Sequence, residues 1–459
     1  MRLGAATTAK ERAEEVEASF QVAPGLYVIG SLEKGVTVYN QQIRAHNLAW
    51  ALWERWKRSE GPHPGDVAII GAGITGLTTA ACLLSLFGAS KDPGDSISIT
   101  IFERMWDVCP FQQGTDTRWL HPSIYNWPSE GSRAPGASLP VLNWTEGRAS
   151  DVARNVVREF GRYCDSFCKF ETTLTVVLGV RHFRLRARGK EIEWVGSRAI
   201  RTGAYFHIGE SEGRSATFDT IILASGFGLE TVSSDYPTES YWRNEQIGQP
   251  TLFGKPEYYV VSGFGDGALV DLFRLTVERF RQDTIVYELF GRGLGLAEEE
   301  LRKRLSEMKG GGTYELFREI EDSLLEDPIR RLSQRLRKDT RVALHISGKN
   351  HEISSLADVF EGSSSFLNRL ILFMLFRCGA FGISLEDLNT TVRMHGAPQS
   401  NVLLRHGADP MAHLHAMFVD FDDVNSRLKE LTENQAQVPR RRWVPGVFAP
   451  YTLENEHGI

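Results

Sequence analysis

The sequence predicts an α/β chain in three parts. A lead-in segment covers 1–65, a parallel-sheet unit with a β-hairpin insert covers 66–250, and a second unit of the same kind with a mainly helical cover region runs over 251–459. Three observations predict it. AIIGAGITGLTTAACLL, residues 68–84, is a β run, a glycine knot and an apolar helix in succession. EYYVVSGFGDGALVDLF, residues 257–273, repeats that order. Between them TLTVVLGVRHFRLRA, AYFHIGE and TFDTIILASGFG are β-rich.

Composition bounds the alternatives. At 459 residues the chain is long enough for two or three domains, and 42% hydrophobic with 10% aromatic residues argues for a compact fold. A formal charge of -6, from 52 basic and 58 acidic residues, gives no general attraction for phosphate backbones, so nucleic acid is a poor partner. The first twenty residues mix acids and bases without an apolar core, and LILFMLF at 370–376 falls far short of the ~20 residues that span a bilayer. A cytoplasmic protein with no membrane partner is expected. A homo-oligomer is compatible with the sequence but not specified by it. Cys82, Cys109, Cys164, Cys168 and Cys378 form an odd set with no CxxC, so neither a disulfide framework nor a zinc site is indicated. Cys164 and Cys168 are read as buried on one helix face.

The first glycine cluster is GxGxxG in a strand-to-helix setting. Gly71 permits the tight turn, Gly73 lets backbone approach a pyrophosphate, and Gly76 lets the helix pack on the strand, with the amides of Ile74 and Thr75 facing the anion. SISITIFER then ends at Glu103 and Arg104. Glu103 lies farther from Gly71 than the usual ~20 positions, and the turn SKDPGDS accounts for the surplus. A Rossmann-type dinucleotide unit follows, with Glu103 as acceptor for ribose hydroxyls.

The β run closing on Ala224-Ser225-Gly226 resembles the end of the FAD domain in the glutathione-reductase structural family, with serine for threonine. The resemblance implies FAD, with Gly226 passing close to it and Val176 or Val177 against the adenine. It also implies that FQQGTDTRWLHPSIYNWP, 111–128, runs beside pyrophosphate and flavin, with Arg118 on phosphate and His121, Tyr125 or Trp127 lining the ring pocket. A long loop packed on the sheet is the plainer reading of that stretch.

The second cluster, Gly263, Gly265, Asp266, Gly267 and Ala268, resembles the NADPH motif of thioredoxin-reductase-like flavoproteins, with Gly267 for serine. DTIVYELFGRG is read as the next strand, ending at Glu288 without the basic cluster that grips a 2′-phosphate. A carboxylate there prefers NADH over NADPH. Asp266 could instead hold the flavin's ribityl chain, or the turn could be a ligand-free echo. GLYVIGSLEKGVTVYNQQIRAHNLAWALWERW, 25–56, resembles the closing segment of the same family moved to the front. Gly30, Gln41 and Ala45 then stand at matching places, Ser31 replaces the usual aspartate, and a helix N-terminus near Val36 and Thr37 faces the flavin. A packed amphipathic helix is the alternative.

From about 296 the pattern is helical, with strands expected at 342–347 and at HLHAMFVDF, 413–421. His413 and His415 share a face of that strand, but without a third donor no metal site follows. Arg405, His406 and Asp409, in a loop broken by glycine and proline, are substrate-contact candidates. The function expected is an FAD-dependent oxidoreductase, a monooxygenase or oxidase acting on a small organic molecule with NAD(P)H as donor and not a dithiol reductase. A flavin-binding regulatory protein without turnover is the alternative.

Overall fold

The computed structural model describes residues 9–32, 36–169, 171–202, 205–226, 228, 235–237, 239–252, 254–308, 312–346, 356–360, 362, 364–434 and 439–452. Its strands are β1 (Gln21–Ala23), β2 (Leu26–Val28), β3 (Asp66–Ile70), β4 (Ser98–Phe102), β5 (Trp119–Leu120), β6 (Gly147–Arg148), β7 (Thr173–Arg186), β8 (Glu191–Thr202), β9 (Tyr205–Thr217), β10 (Thr220–Leu223), β11 (Glu257–Ser262), β12 (Thr340–His345), β13 (Gly382–Ser384) and β14 (Val402–Leu404). Its helices are α1 (Ala9–Ala18), α2 (Val38–Lys57), α3 (Ile74–Leu83), α4 (Ala149–Phe167), α5 (Asp266–Thr276), α6 (Ile285–Phe290), α7 (Leu294–Glu307), α8 (Thr313–Glu319), α9 (Glu326–Ser333), α10 (Leu356–Phe360), α11 (Phe366–Arg377), α12 (Leu388–His395), α13 (Pro410–His415) and α14 (Asp422–Asn434). None of the described helices is long and apolar enough to cross a membrane.

The first sheet has eight strands in the order β1-β2-β10-β3-β4-β7-β8-β9. From β2 through β7 the pairs are parallel, and β7, β8 and β9 extend it as an antiparallel meander. The middle strands DVAII and TIIL are nearly unbroken apolar runs because helices and loops cover both faces. On one face α3 is buried along its whole length and packs beside α2. The lead-in thus contributes β2 to the central sheet next to β10, with α2 leading away from it.

A second sheet, all parallel, runs β13-β12-β11-β14. Its turn chemistry duplicates that of the first. Gly71 donates its amide to the Phe102 carbonyl and Ala224 to Ile70; Gly263 donates to His345 and Arg405 to Ser262. So β11, β12 and β14 stand where β3, β4 and β10 stand, and Arg405-His406-Gly407 takes the place of Ala224-Ser225-Gly226. Gly226 and Gly407 both hold positive φ, at 70° and 83°.

Two expected strands are helices. DTIVYELF forms α6, because Ile285, Val286, Leu289 and Phe290 bury one helical stripe while Tyr287 and Glu288 face out. The second strand of this unit is β12, which starts two residues before the expected 342–347 and overlaps it as far as His345; residue 347 lies outside those described. HLHAMFVDF begins inside α13, where Asp409 caps the helix by accepting from the Ala412 amide and Pro410 fixes the first turn. LILFMLF is part of the buried α11, as expected.

Candidate functional site

A chamber of about 1190 Å³ lies between the two units. That exceeds the roughly 300–1,000 Å³ usual for one small-molecule pocket, so it has room for a dinucleotide with a second molecule beside it.

The first glycine turn forms one wall. Gly71 has φ 110°, and a side chain there would sit 2.5 Å from the Ala224 carbonyl; a methyl at Gly76 would collide with the Gly71 carbonyl. Those two glycines are required by the fold. Gly73 is different, because a Cβ there would meet no atom of the described residues within 4 Å. It caps α3 with no side-chain hydrogen bond, which leaves the first amides of the helix, at Ile74 and Thr75, facing the chamber. Just past β4, Glu103 accepts from the Ala72 amide at 2.8 Å through one oxygen and from Met105 at 2.8 Å through the other, which fixes its carboxylate at the rim. Arg104, Ala224, Ser225 and Gly226 line the same wall.

The lead-in supplies another side. Thr37 caps α2 by accepting from the Asn40 amide at 3.1 Å, and Val36, Thr37 and Gln41 line the chamber with Gly30. The Gln41 amide reaches the Gly30 carbonyl at 3.4 Å, while its oxygen has no hydrogen-bond partner among the described residues. The helix end that the family resemblance placed beside the flavin therefore opens on this chamber.

The 111–128 stretch crosses from one unit to the other. Arg118, His121 and Tyr125 line the chamber. His121 accepts two amides on Nδ1, from Ser123 at 3.1 Å and Ile124 at 3.0 Å, so its proton sits on Nε2, 3.2 Å from the Glu146 carboxylate. Burial lowers its pKa. Tyr125 reaches Gln282 at 3.4 Å, and burial, with Tyr241 next, raises its pKa well above that of a free phenol. Trp127 leaves this wall; it is buried in the second unit and donates to Glu298 at 2.7 Å.

The second glycine turn faces the chamber from the opposite side through Asp266 and Gly267. Gly265 caps α5 as Gly73 caps α3, with no atom of the described residues within 4 Å of an added Cβ. Burial raises the pKa of Asp266, opposed by the Ser365 amide at 2.8 Å and the Asn368 side chain at 2.7 Å, both donating to it. Glu288 is not part of this wall. It is on α6, bonded to Arg335 and to the Thr284 hydroxyl. The residue following β12, in the place of Glu103, is the buried Ile346, so the argument for NADH over NADPH falls.

Arg405 and His406 also lie behind the wall rather than in it. Arg405 is buried on Asp271 at 2.8 Å, and His406 meets the Ser262 hydroxyl at 2.7 Å, which also bonds His345 at 2.7 Å. Val176 is in the sheet core. His413 does line the chamber, but from a helix, and burial followed by the nearby Arg104 lowers its pKa. Among the described residues no group of three metal-ligating side chains occurs. Tyr241, Arg274 and Gln282 line the chamber without having been singled out in the sequence. They sit in unremarkable helix and loop contexts, and no motif marks them.

The donor set fits FAD: an uncapped helix N-terminus behind a glycine with free space, a fixed carboxylate at the neighbouring strand end, and the open Gly226. Residues 66–204 match the family model described as FAD dependent oxidoreductase. No curated protein matches the chain. Among solved structures, a polycyclic ketone monooxygenase from the thermophilic fungus Thermothelomyces thermophila aligns at 14% identity and a TM-score of 0.27, over 58% of this chain and 42% of that one. The chain thus spans less than half the length of that enzyme, and a similarity so low does not equate the two folds. The family match covers the glycine turn, β4 and most of the meander, so it is residues 66–204 that are similar to an FAD-dependent oxidoreductase domain.

Proposed function

We propose that the chain is an FAD-dependent oxidase or monooxygenase of a small organic molecule bound in the same chamber as the cofactor. The observation that carries this reading is the continuity of the chamber from the α3 N-terminus to the α5 N-terminus, together with the absence of any cysteine among the described residues that line it. Cys164, on α4, is buried outside it, as is Cys82. Electrons from a reduced flavin then have no dithiol to enter and pass to dioxygen or to a small acceptor.

Bound FAD supplies a two-electron acceptor at N5. The protein's part is placement. The α3 amides behind Gly73 would take the diphosphate and Glu103 the ribose hydroxyls. The α2 N-terminus at Thr37 would present its positive end to the ring. Trp119, Tyr125, Tyr241 and Trp242 line the chamber and would shield a bound ring from water.

A nicotinamide nucleotide as donor belongs to the proposal, supported by the duplicated turn at Gly263 and Gly265, with no preference between NADH and NADPH. The test is an anaerobic titration of the purified yellow protein. Bleaching by NADH or NADPH is expected. A yellow protein that bleaches only with an organic substrate removes the nicotinamide donor. A colourless protein that refuses added FAD overturns the reading as a whole.

A further inference from the structure

Three guanidiniums converge on one buried carboxylate behind the chamber wall. Asp271 Oδ1 accepts from Arg118 Nη2 at 2.7 Å and from Arg274 Nη1 at 3.0 Å, and its Oδ2 accepts from Arg405 Nε at 2.8 Å. Asn244 joins, its oxygen taking Arg118 at 2.8 Å and its amide reaching Asp271 at 3.3 Å. A further acid nearby, Glu245, has one oxygen 3.9 Å from Arg274 and gives the other to the amides of Asp116 and Thr117. Counting it, three positive charges face two negative ones, in a cluster whose arginines and Asp271 are almost wholly sealed from solvent. A buried net charge costs several kcal/mol unless something neutralises it.

The unused donors show where that compensation would enter. Among the described residues Arg118 Nε and Nη1 and Arg274 Nε are buried and have no protein acceptor, and both residues line the chamber. The Tyr241 ring lies 3.4 Å beneath the Arg118 guanidinium, which holds its plane and leaves its edge for hydrogen bonds. Burial, then the charge of Arg118, brings the Arg274 pKa down to about 10 against the pull of Asp271. Asp266, the acid in the opposite wall, is occupied by Ser365 and Asn368.

We propose that the second ligand of the chamber is an anion, whose carboxylate or phosphate oxygens are bound by Arg118 and Arg274 in a subsite made where the 111–128 stretch meets α5. The proposal rests on the chamber being a joint cofactor and substrate site, and it names the chemical class that site selects. The carboxylate of an organic acid and the diphosphate of a nicotinamide nucleotide present the same chemistry to these guanidiniums.

The test first reads FAD content from absorbance, so that failure of the cofactor reading shows as colourless protein whatever the anion does. Calorimetry on the full chain then compares butyrate, its neutral counterpart butyramide, and inorganic pyrophosphate. Butyrate or pyrophosphate is expected to bind at least tenfold tighter than butyramide, and Arg118→Gln to remove that advantage in the FAD-loaded protein. Asp271 keeps two arginine partners in that variant. Preference for butyrate identifies an organic acid, and preference for pyrophosphate identifies a nucleotide. The proposal is overturned if neither anion outbinds butyramide, or if Arg118→Gln binds anions like the parent. The comparison on the unaltered protein decides the matter even where the variant fails to fold.

Discussion

Two glycines three positions apart, Gly73 and Gly76, separate folding from binding. A methyl at Gly76 has nowhere to go, since it would strike the Gly71 carbonyl, whereas one at Gly73 meets only open chamber. Gly76→Ala is therefore expected to cost stability by overpacking, about 1–3 kcal/mol in urea denaturation. Gly73→Ala should leave the urea midpoint of FAD-free protein unchanged and weaken FAD at least about tenfold, near 1.4 kcal/mol, by flavin fluorescence titration. If Gly73→Ala binds FAD normally, the diphosphate does not sit on the α3 amides. Asp271 carries a second residue-scale expectation. Burial alone would raise its pKa, but Arg118, Arg405 and Arg274 outweigh burial and hold it far below the ordinary aspartate value. A depressed carboxylate stabilises the fold above its unfolded pKa of about 3.9, and that contribution is lost as pH falls toward the folded value. Asp271→Asn leaves three buried guanidiniums with Glu245, 3.9 Å from Arg274, as their remaining counter-charge, so a loss of about 3–5 kcal/mol is expected at pH 7. The gap to the parent should narrow as pH drops below about 3.9. A gap independent of pH would mean that Asp271 acts through shape and not charge.

At the scale of elements, the parts legible in the sequence are those in which local chemistry and tertiary role agree. The first glycine turn, the central strands and the β7 and β9 strands of the meander could be read, though not β8 between them, because a glycine knot between an apolar β run and an apolar helix has few other solutions. DTIVYELF misleads because β-branched residues favour a strand, yet the apolar positions 285, 286, 289 and 290 make a helical face that packs into the second core. HLHAMFVDF misleads for the opposite reason, since Asp409 and Pro410 just upstream announce a helix start that outweighs the alternation after it. The duplication of Ala224-Ser225-Gly226 by Arg405-His406-Gly407 was hidden because β12 falls 78 residues after β11 rather than within the usual span. Two substitutions follow from this layout. Glu288→Gln should change neither nicotinamide binding nor stability by more than about 0.5 kcal/mol, since the residue is a partly exposed partner of Arg335. Gly265→Ala, at the free space of the second turn, should weaken bleaching by NADH or NADPH about tenfold with FAD content unchanged. Unchanged bleaching would make the second turn a structural echo.

Across the whole molecule, the chamber's walls come from distant parts of the chain. Gly30 and Thr37, Gly73 and Glu103, Tyr125, Asp266, Phe366 and His413 line it together. No segment of sequence announces such a site, because its geometry exists only once both sheets are packed. A ligand bound there contacts both units at once, and binding to the native state alone stabilises by RT ln(1 + [L]/Kd), about 2.7 kcal/mol at one hundred times Kd. FAD at that level is expected to slow hydrogen exchange at the N-termini of α2 and α3 and across 111–128, all within reach of a dinucleotide lying along the first glycine turn. An anion on Arg118 and Arg274, added to FAD-loaded protein, should extend protection to the start of α5, whose Asp271 and Arg274 it would tie to the first unit. If FAD alone protects α5 fully and the anion adds nothing, the cofactor itself spans both units and fills the space that the substrate needs. If FAD protects only the first unit and the anion protects α5, the two glycine turns hold different ligands in one chamber, as a flavoenzyme passing electrons between two bound molecules requires.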